Sequence, residues 1–415
     1  MRLLAVSYVL PPNLYPQAIQ VGRLLYHCKD ELGVTCGVME TLATGLDCYP
    51  DFQGRLSYKI KVPFNSNIKG LLQRLAIYCL PFYGRCPDEY VGWIGLATQK
   101  TLAFLNEHQI KPNRVLTFGE PMSDHLVGRQ LRASLGVPWV AHFSDPWVDN
   151  PFRRYFVLSK WINRRLERSV ISEADRVVFT SQETLNLVMK KYPESWREKA
   201  HVIAHGYQAD LYPAPVRQDI ESPLMIRYVG NFYGDRTPAP LFEALAQLHS
   251  ENSELLNNIQ IELVGSTPAR MLKTQAYRAL PNSLVKTTST VSYLKSLELM
   301  AESDLLLIID APNTGISVFL PSKLIDYIGA GKPIIGLVPR GASATLIQRL
   351  GGVTADPVDS AAIRKMLAEA IALGLARRKD GITAPWGDPA VREQYRIETT
   401  AQDYFKIVHE ASVHR

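Results

Sequence analysis

The first strand-to-helix turn, Tyr8 to Leu25, lacks G-x-G-x-x-G spacing, so the fingerprint of a dinucleotide site is missing and a nicotinamide dehydrogenase is disfavoured. No D-x-D pair occurs, so no adjacent carboxylates are set to share a divalent ion, and no metal site is expected. Cysteine is sparse: Cys28, Cys36, Cys48, Cys79 and Cys86 are an odd set of five without a C-x-x-C pair. That is a poor disulfide framework and a poor zinc site, and it predicts a reducing compartment. No apolar run reaches the length of about eighteen residues that a spanning helix needs. The nearest, Leu75 to Ala97, is broken by Arg85, Asp88 and Glu89. The chain enters a strand-like run at once, without the basic, apolar and small-residue zones of a signal peptide, which predicts the cytoplasm. A net charge of +6 over 415 residues is too mild to argue for a nucleic-acid partner.

What is present is an alternation of short apolar runs with helical patterns, the signature of parallel sheets covered by helices. Strands are expected at 2–9, 34–40, 114–119, 138–144, 176–181 and 201–205 in the first half. In the second they are expected at 224–230, 259–265, 284–291, 304–310, 333–338 and 352–355. Two such series predict two doubly wound, Rossmann-like domains facing across a cleft. The Pro- and charge-rich stretch Gln208–Ser222 places the join, giving one domain over 1–212 and a second over 213–386. Residues 387–415, with helical spacing at Val391, Tyr395, Ala401, Tyr404, Phe405 and Val408, are read as a terminal helix crossing back onto the first domain.

The stretch SVFLPSKLIDYIGAGKP, 317–333, is the centre of the pattern. Pro321 and Ser322 open a short helix, and Gly329 and Gly331 close it. Lys323 and Asp326 lie three apart on one face, beside free amides that suit an anion. The turn RYVGNFYGDRTPAPLFEAL, 227–245, is of the same kind. Gly230 and Gly234 let backbone approach a ligand, Arg236 precedes a helix with Pro238 in its first turn, and arginine pairs well with diphosphate oxygens. Gly265–Ser266 and Val291–Ser292 end the next strands and are read as lining a nucleoside slot.

In PWVAHFSDPWVDNP, 138–151, Asp145 stands at a strand's carboxyl end, suited to acid–base or electrostatic work, or to capping the turn before Pro146. His142 reads as a satisfied core histidine. Two basic, aromatic clusters mark the first half. One is Arg55, Lys59, Lys61, Lys69, Arg74 and Arg85 with Tyr58, Phe64, Tyr78, Phe82 and Tyr83. The other is Arg153, Arg154, Lys160, Arg164, Arg165 and Arg168 with Tyr155, Phe156 and Trp161. Together they suggest an anionic membrane surface as a further partner.

These residues resemble the retaining glycosyltransferases of family 4, in the glycosyl transferases group 1 superfamily, over nearly the whole chain. The likeness is carried by the Pro-containing first loop with Arg23, ADRVVFTSQET (174–184), VIAHGYQADLY (202–212), YVGNFYGDR and LPSKLIDYIGAGKP. The resemblance implies the glycosyltransferase B fold and transfer, with retention, of a hexose-type sugar from a nucleoside diphosphate sugar, UDP- or GDP-linked, to a glycan or lipid-linked acceptor. Bacterial surface polysaccharide synthesis, at the inner face of the plasma membrane, is the implied setting. No cofactor beyond the donor substrate is implied. Arg236 and Lys323 would bind the donor diphosphate, aided by amides near Pro321 and Ser322. Gly230 would admit the phosphate, Asp326 would meet the ribose, and Asp145 would face the reacting sugar. The chain departs from the pattern at Val318, where the family has a first glutamate, and at Ser144, where many members have histidine. A nucleotide-sugar epimerase of the same fold and a catalytically degenerate binding subunit are the alternatives.

Overall fold

Short runs of Leu, Val and Ile, bounded by turn residues, form two wholly parallel sheets in a computed structural model that describes residues 1–13, 15–38, 49–64, 86–153, 155–214 and 219–413. The chain divides into one unit of Met1–Gly206 with Ile397–Arg415 and a second of Tyr207–Arg396.

In the first unit, β1 (Arg2–Val6), β2 (Glu31–Cys36), β3 (Tyr58–Lys61), β4 (Arg114–Gly119), β5 (Trp139–Phe143), β6 (Arg176–Phe179) and β7 (Ala200–Val202) lie in the order β3-β2-β1-β4-β5-β6-β7. Leu4 pairs with Gly33 of β2 on one side and Val115 of β4 on the other, so strand order reverses at β1. Such reversal points are where open sheets hold ligands, at their carboxyl ends. One face packs Trp93, Trp139 and Phe143, and the other packs Phe118 and Leu116 under Tyr404, Phe405 and Val408 of the helix Ile397–Glu410.

The sequence pattern misses β3. Its YKIK alternation turns only Ile60 inward, as edge strands guarded by lysine do, and reads as part of a basic patch. The rest of that first basic patch (Lys69, Arg74, Tyr78, Phe82, Tyr83, Arg85) lies outside the described residues, as do Arg154, Cys48 and Cys79. Cys28, Cys36 and Cys86 are free thiols.

In the second unit, β8 (Leu224–Val229), β9 (Ile259–Val264), β10 (Val285–Thr288), β11 (Leu305–Ile309), β12 (Ile334–Leu337) and β13 (Val353–Ala355) take the order β10-β9-β8-β11-β12-β13. All five residues of β11 are buried, each such side chain contributing about 1.5–3 kcal/mol relative to exposure. The β8–β11 ladder pairs Ile226 with Leu305 and Arg227 with Leu306. Just beyond, the Tyr327 hydroxyl accepts from Val229 N at 2.7 Å and donates to Leu307 O at 3.2 Å, holding the two strands apart.

The join between units precedes the expected 212/213, because Tyr212 donates its hydroxyl proton to Asp326 O at 2.8 Å within the second unit. The expected terminal helix is two helices. Asp388 caps Pro389–Gln394, and a break at Tyr395–Arg396 precedes Ile397–Glu410. The unit boundary falls at that break.

Candidate functional site

The loops leaving β8 and β11 and the helix Ser322–Ala330 meet at the second sheet's reversal point. The helix starts at Pro321 with no side chain capping it, and it ends on Gly331 at φ 66°. Gly329 does not end it but lies inside, where a side chain would strike the Tyr212 hydroxyl.

Lys323 Nζ donates to Tyr228 Oη at 2.7 Å and lies 4.3 Å from that ring's centroid. Gly230 has φ +147°, and a Cβ there would stand 2.6 Å from Lys323 Nζ. The glycine therefore makes room for the ammonium as well as for any ligand. Burial pushes the Lys323 ammonium down to about 7, helped by the neighbouring Arg236 charge and opposed by Asp310. Tyr228 is raised by burial and stacks on Phe232 at 4.3 Å.

Arg236 Nη2 donates to Asp310 Oδ1 at 2.7 Å, and its guanidinium lies over the Tyr233 ring. Burial is the largest influence on the arginine and lowers it, but the Asp310 charge together with Tyr228 and Tyr233 outweighs it and the net direction is up. Arg236 Nε and Asp310 Oδ2 are buried without a hydrogen-bond partner among the described residues. A buried donor left unmet costs about 1–3 kcal/mol, so Nε favours an incoming oxygen. The structure thus joins Arg236, Lys323 and Gly230 in one cluster, with Tyr228 and Asp310 between them.

Asp326 is held differently. It is buried, and its Oδ1 accepts from Tyr293 Oη at 3.1 Å. Although it shares a helix with Lys323, the lysine reaches Tyr228 while the aspartate meets the next helix, Tyr293–Ala301. Val318 is buried. Gly234 is at φ +58° in open space and borders a cavity of 570 Å³ lined by Asp235, Thr237, Arg270, Met271, Thr274 and Pro312. Neither Gly265–Ser266 nor Val291–Ser292, the expected nucleoside slot, lines it. Gly265 instead lets its loop cross close to Gly230 O, and Ser266 N donates to Asn231 Oδ1.

In the first unit, Asp145 follows β5 and Glu120 follows β4. Burial lifts the Asp145 carboxyl to about 7, Glu120 adds to the rise, and Arg153 opposes it. Glu120 and Arg153 are ion-paired. Asp145 makes no hydrogen bond to a described residue, so the turn-capping role before Pro146 is not met. Ser144 Oγ donates to Gln17 Oε1 at 3.1 Å. His142 is buried beside Phe118, His205 and Tyr404, as a core residue would be, but it is not satisfied: neither ring nitrogen has a partner among the described residues. Burial holds it well below the usual imidazole range.

Sequence reasoning did not single out Tyr228, Asp310, Tyr327 or Glu120. Asp310 alone carried a signal, as the one charge ending the apolar run LLLIID.

Residues 73–206 match the family described as glycosyl transferase 4-like domain. No curated protein matches the sequence. Among solved structures, Anabaena HepE in complex with UDP-glucose aligns over 99% of both chains at 15% identity and TM-score 0.64. Sucrose-phosphate synthase from Thermosynechococcus elongatus aligns over 99% of this chain and 98% of its own, at 16% identity and TM-score 0.64. A UDP-N-acetylglucosamine 2-epimerase covers 99% of this chain and 96% of its own, at 13% identity and TM-score 0.55. At these identities the likeness is one of fold, the two-domain glycosyltransferase B architecture.

Proposed function

From a glycosyl transferase 4-like domain on a glycosyltransferase B fold, we propose that this protein transfers a hexose-type sugar from a nucleoside diphosphate sugar, UDP- or GDP-linked, to a glycan or lipid-linked acceptor. The observation that carries the reading is the convergence of Lys323 and Arg236 at the carboxyl ends of β8 and β11. When a sugar leaves a nucleoside diphosphate, negative charge develops on the diphosphate. Cations already fixed beside it stabilise that charge with little rearrangement.

In this mechanism Asp310 orients Arg236, and the free Nε–H of the arginine meets a diphosphate oxygen. Lys323, held by Tyr228, gains a proton as the anion arrives. The amides at the uncapped start of Ser322–Ala330 add the helix dipole. Asp326, whose Oδ1 already accepts from Tyr293, meets the ribose hydroxyls with its remaining acceptor capacity. Asp145 meets the reacting sugar, with an ionisation near neutrality that suits proton transfer. The two cations take the part of a divalent ion, so activity persists in EDTA. Retention of configuration belongs to the same reading, and the anomeric proton of the product reports it by NMR.

The test is a thermal-shift screen of UDP-, GDP-, ADP- and CMP-sugars, followed by transfer assays with Lys323→Ala and Arg236→Ala. Each variant should lose about 10²–10³ in rate while keeping its fold, by analogy with removal of a single oxyanion-hole donor. Wild-type turnover in both would exclude the donor assignment. The epimerase fold match keeps one rival in view. Epimerisation of donor without acceptor would establish it.

A further inference from the structure

The helix Val157–Glu173 sorts its residues by charge. Its inner face buries Ser159, Asn163, Glu167, Val170 and Ile171. Its acid at Glu167 is turned inward, accepting from Tyr192 Oη at 2.6 Å and paired with Lys191. Asn163 Oδ1 accepts from Trp147 Nε1 at 2.7 Å, fixing the helix's rotation.

The outer face is basic and apolar at once. Phe156 is 70% exposed, Val157 88% and Trp161 49%, with Phe152 and Leu158 exposed beside them. Lys160, Arg164, Arg165 and Arg168 are exposed and make no ion pair with a described residue. Arg165 lies over the Trp161 ring at 3.9 Å, so charge and aromatic face occupy one spot. Aromatic and aliphatic side chains gain by entering the headgroup boundary, and unpaired cations gain from anionic lipid. A soluble acidic partner would use the cations but leave Phe156 and Val157 without a reason to be exposed.

We propose that this face docks on an anionic lipid bilayer, with Phe156, Val157 and Trp161 entering the interface and Lys160, Arg164 and Arg165 meeting lipid phosphates. The patch is continuous with the Asp145 loop. Asn150 receives both Phe152 N and Arg153 N, and Arg153 is paired to Glu120 beside Asp145. An acceptor headgroup standing in the bilayer would therefore meet the first unit near Asp145. This use of the surface rests on the lipid-linked form of the acceptor reading, while the docking itself is measured without donor or acceptor.

The experiment is flotation of the full chain with phosphatidylcholine vesicles, with and without phosphatidylglycerol. Binding should require phosphatidylglycerol, fall with salt, and shift the tryptophan emission to the blue, a shift lost in Trp161→Phe. Each cation removed costs about fivefold in affinity, so Lys160→Gln/Arg164→Gln/Arg165→Gln should bind on the order of 100-fold more weakly. Phe156→Ser/Val157→Ser should float poorly at any salt. All five positions are exposed, so melting temperature and donor-induced thermal shift should stay at wild-type values. Equal binding to neutral vesicles, or flotation unchanged in both variants, overturns the proposal. So does absence of flotation with a concentration-dependent dimer abolished by Phe156→Ser/Val157→Ser, which would assign the patch to a second copy. Flotation without any donor shift would leave docking standing and sink the transferase reading instead.

Discussion

The depressed Lys323 ammonium predicts that donor binding is proton-linked. In the free protein this group titrates at about 7, lowered first by burial and then by Arg236. A diphosphate beside it supplies the missing counter-charge and raises its pKa in the complex. Below about pH 6 the lysine is already charged and affinity should be flat with pH. From about pH 7 upward the free form must take up a proton on binding, and affinity should fall towards tenfold per pH unit, about 1.4 kcal/mol per decade. At about pH 8, roughly 0.9 proton should be absorbed per donor bound. Calorimetry in two buffers of different ionisation enthalpy measures that uptake directly. Lys323→Met should bind weakly and without pH dependence. The same lysine makes free-protein stability rise between about pH 7 and about pH 10, because the unfolded chain binds more protons there, and Lys323→Met should remove that slope. A donor affinity unchanged between about pH 7 and about pH 8.5, with no buffer-dependent heat, would refute the reasoning.

Arg236→Ala should move the Lys323 titration upward, because it removes the repelling charge and leaves Asp310 in place; a midpoint that stays or falls contradicts the cluster. Gly230→Ala places a Cβ 2.6 Å from Lys323 Nζ at φ +147°, with strain of about 1–3 kcal/mol, so both melting temperature and donor affinity should drop. Tyr327→Phe leaves Val229 N–H buried without its acceptor and should cost about 1–3 kcal/mol in denaturant unfolding. Glu120→Gln removes the charge that helps raise Asp145. The acidic limb of kcat/KM should move to lower pH, and an unmoved limb would detach Asp145 from proton transfer.

The strands were legible because fully buried parallel strands are near-continuous apolar runs, and LLLII or WVAHF admit little else. β3 escaped because a single inward Ile60 between two lysines carries no such run. The helix at Ser322 was legible from its Pro and Gly punctuation, but Gly329 was misread, since its purpose is to admit Tyr212 from another part of the chain. Lys323 and Arg236 stand out as cations at strand–helix turns. What holds them is a long-range matter: Tyr228 lies 95 residues before Lys323 and Asp310 lies 74 after Arg236. Periodicity has no access to contacts of that kind. The unmet ring nitrogens of His142 were illegible for the same reason.

Tyr327 follows Lys323 by one helical turn, so a single segment carries both the ammonium and the hydroxyl inserted at the fork of the sheet. Rotating or sliding that segment would pull a hydrogen bond out of the sheet's interior. The lysine is consequently clamped in place before any ligand arrives, as the Asp310 pair holds the arginine. Donor capture should then show fast, single-step kinetics, with no slow phase from either cation.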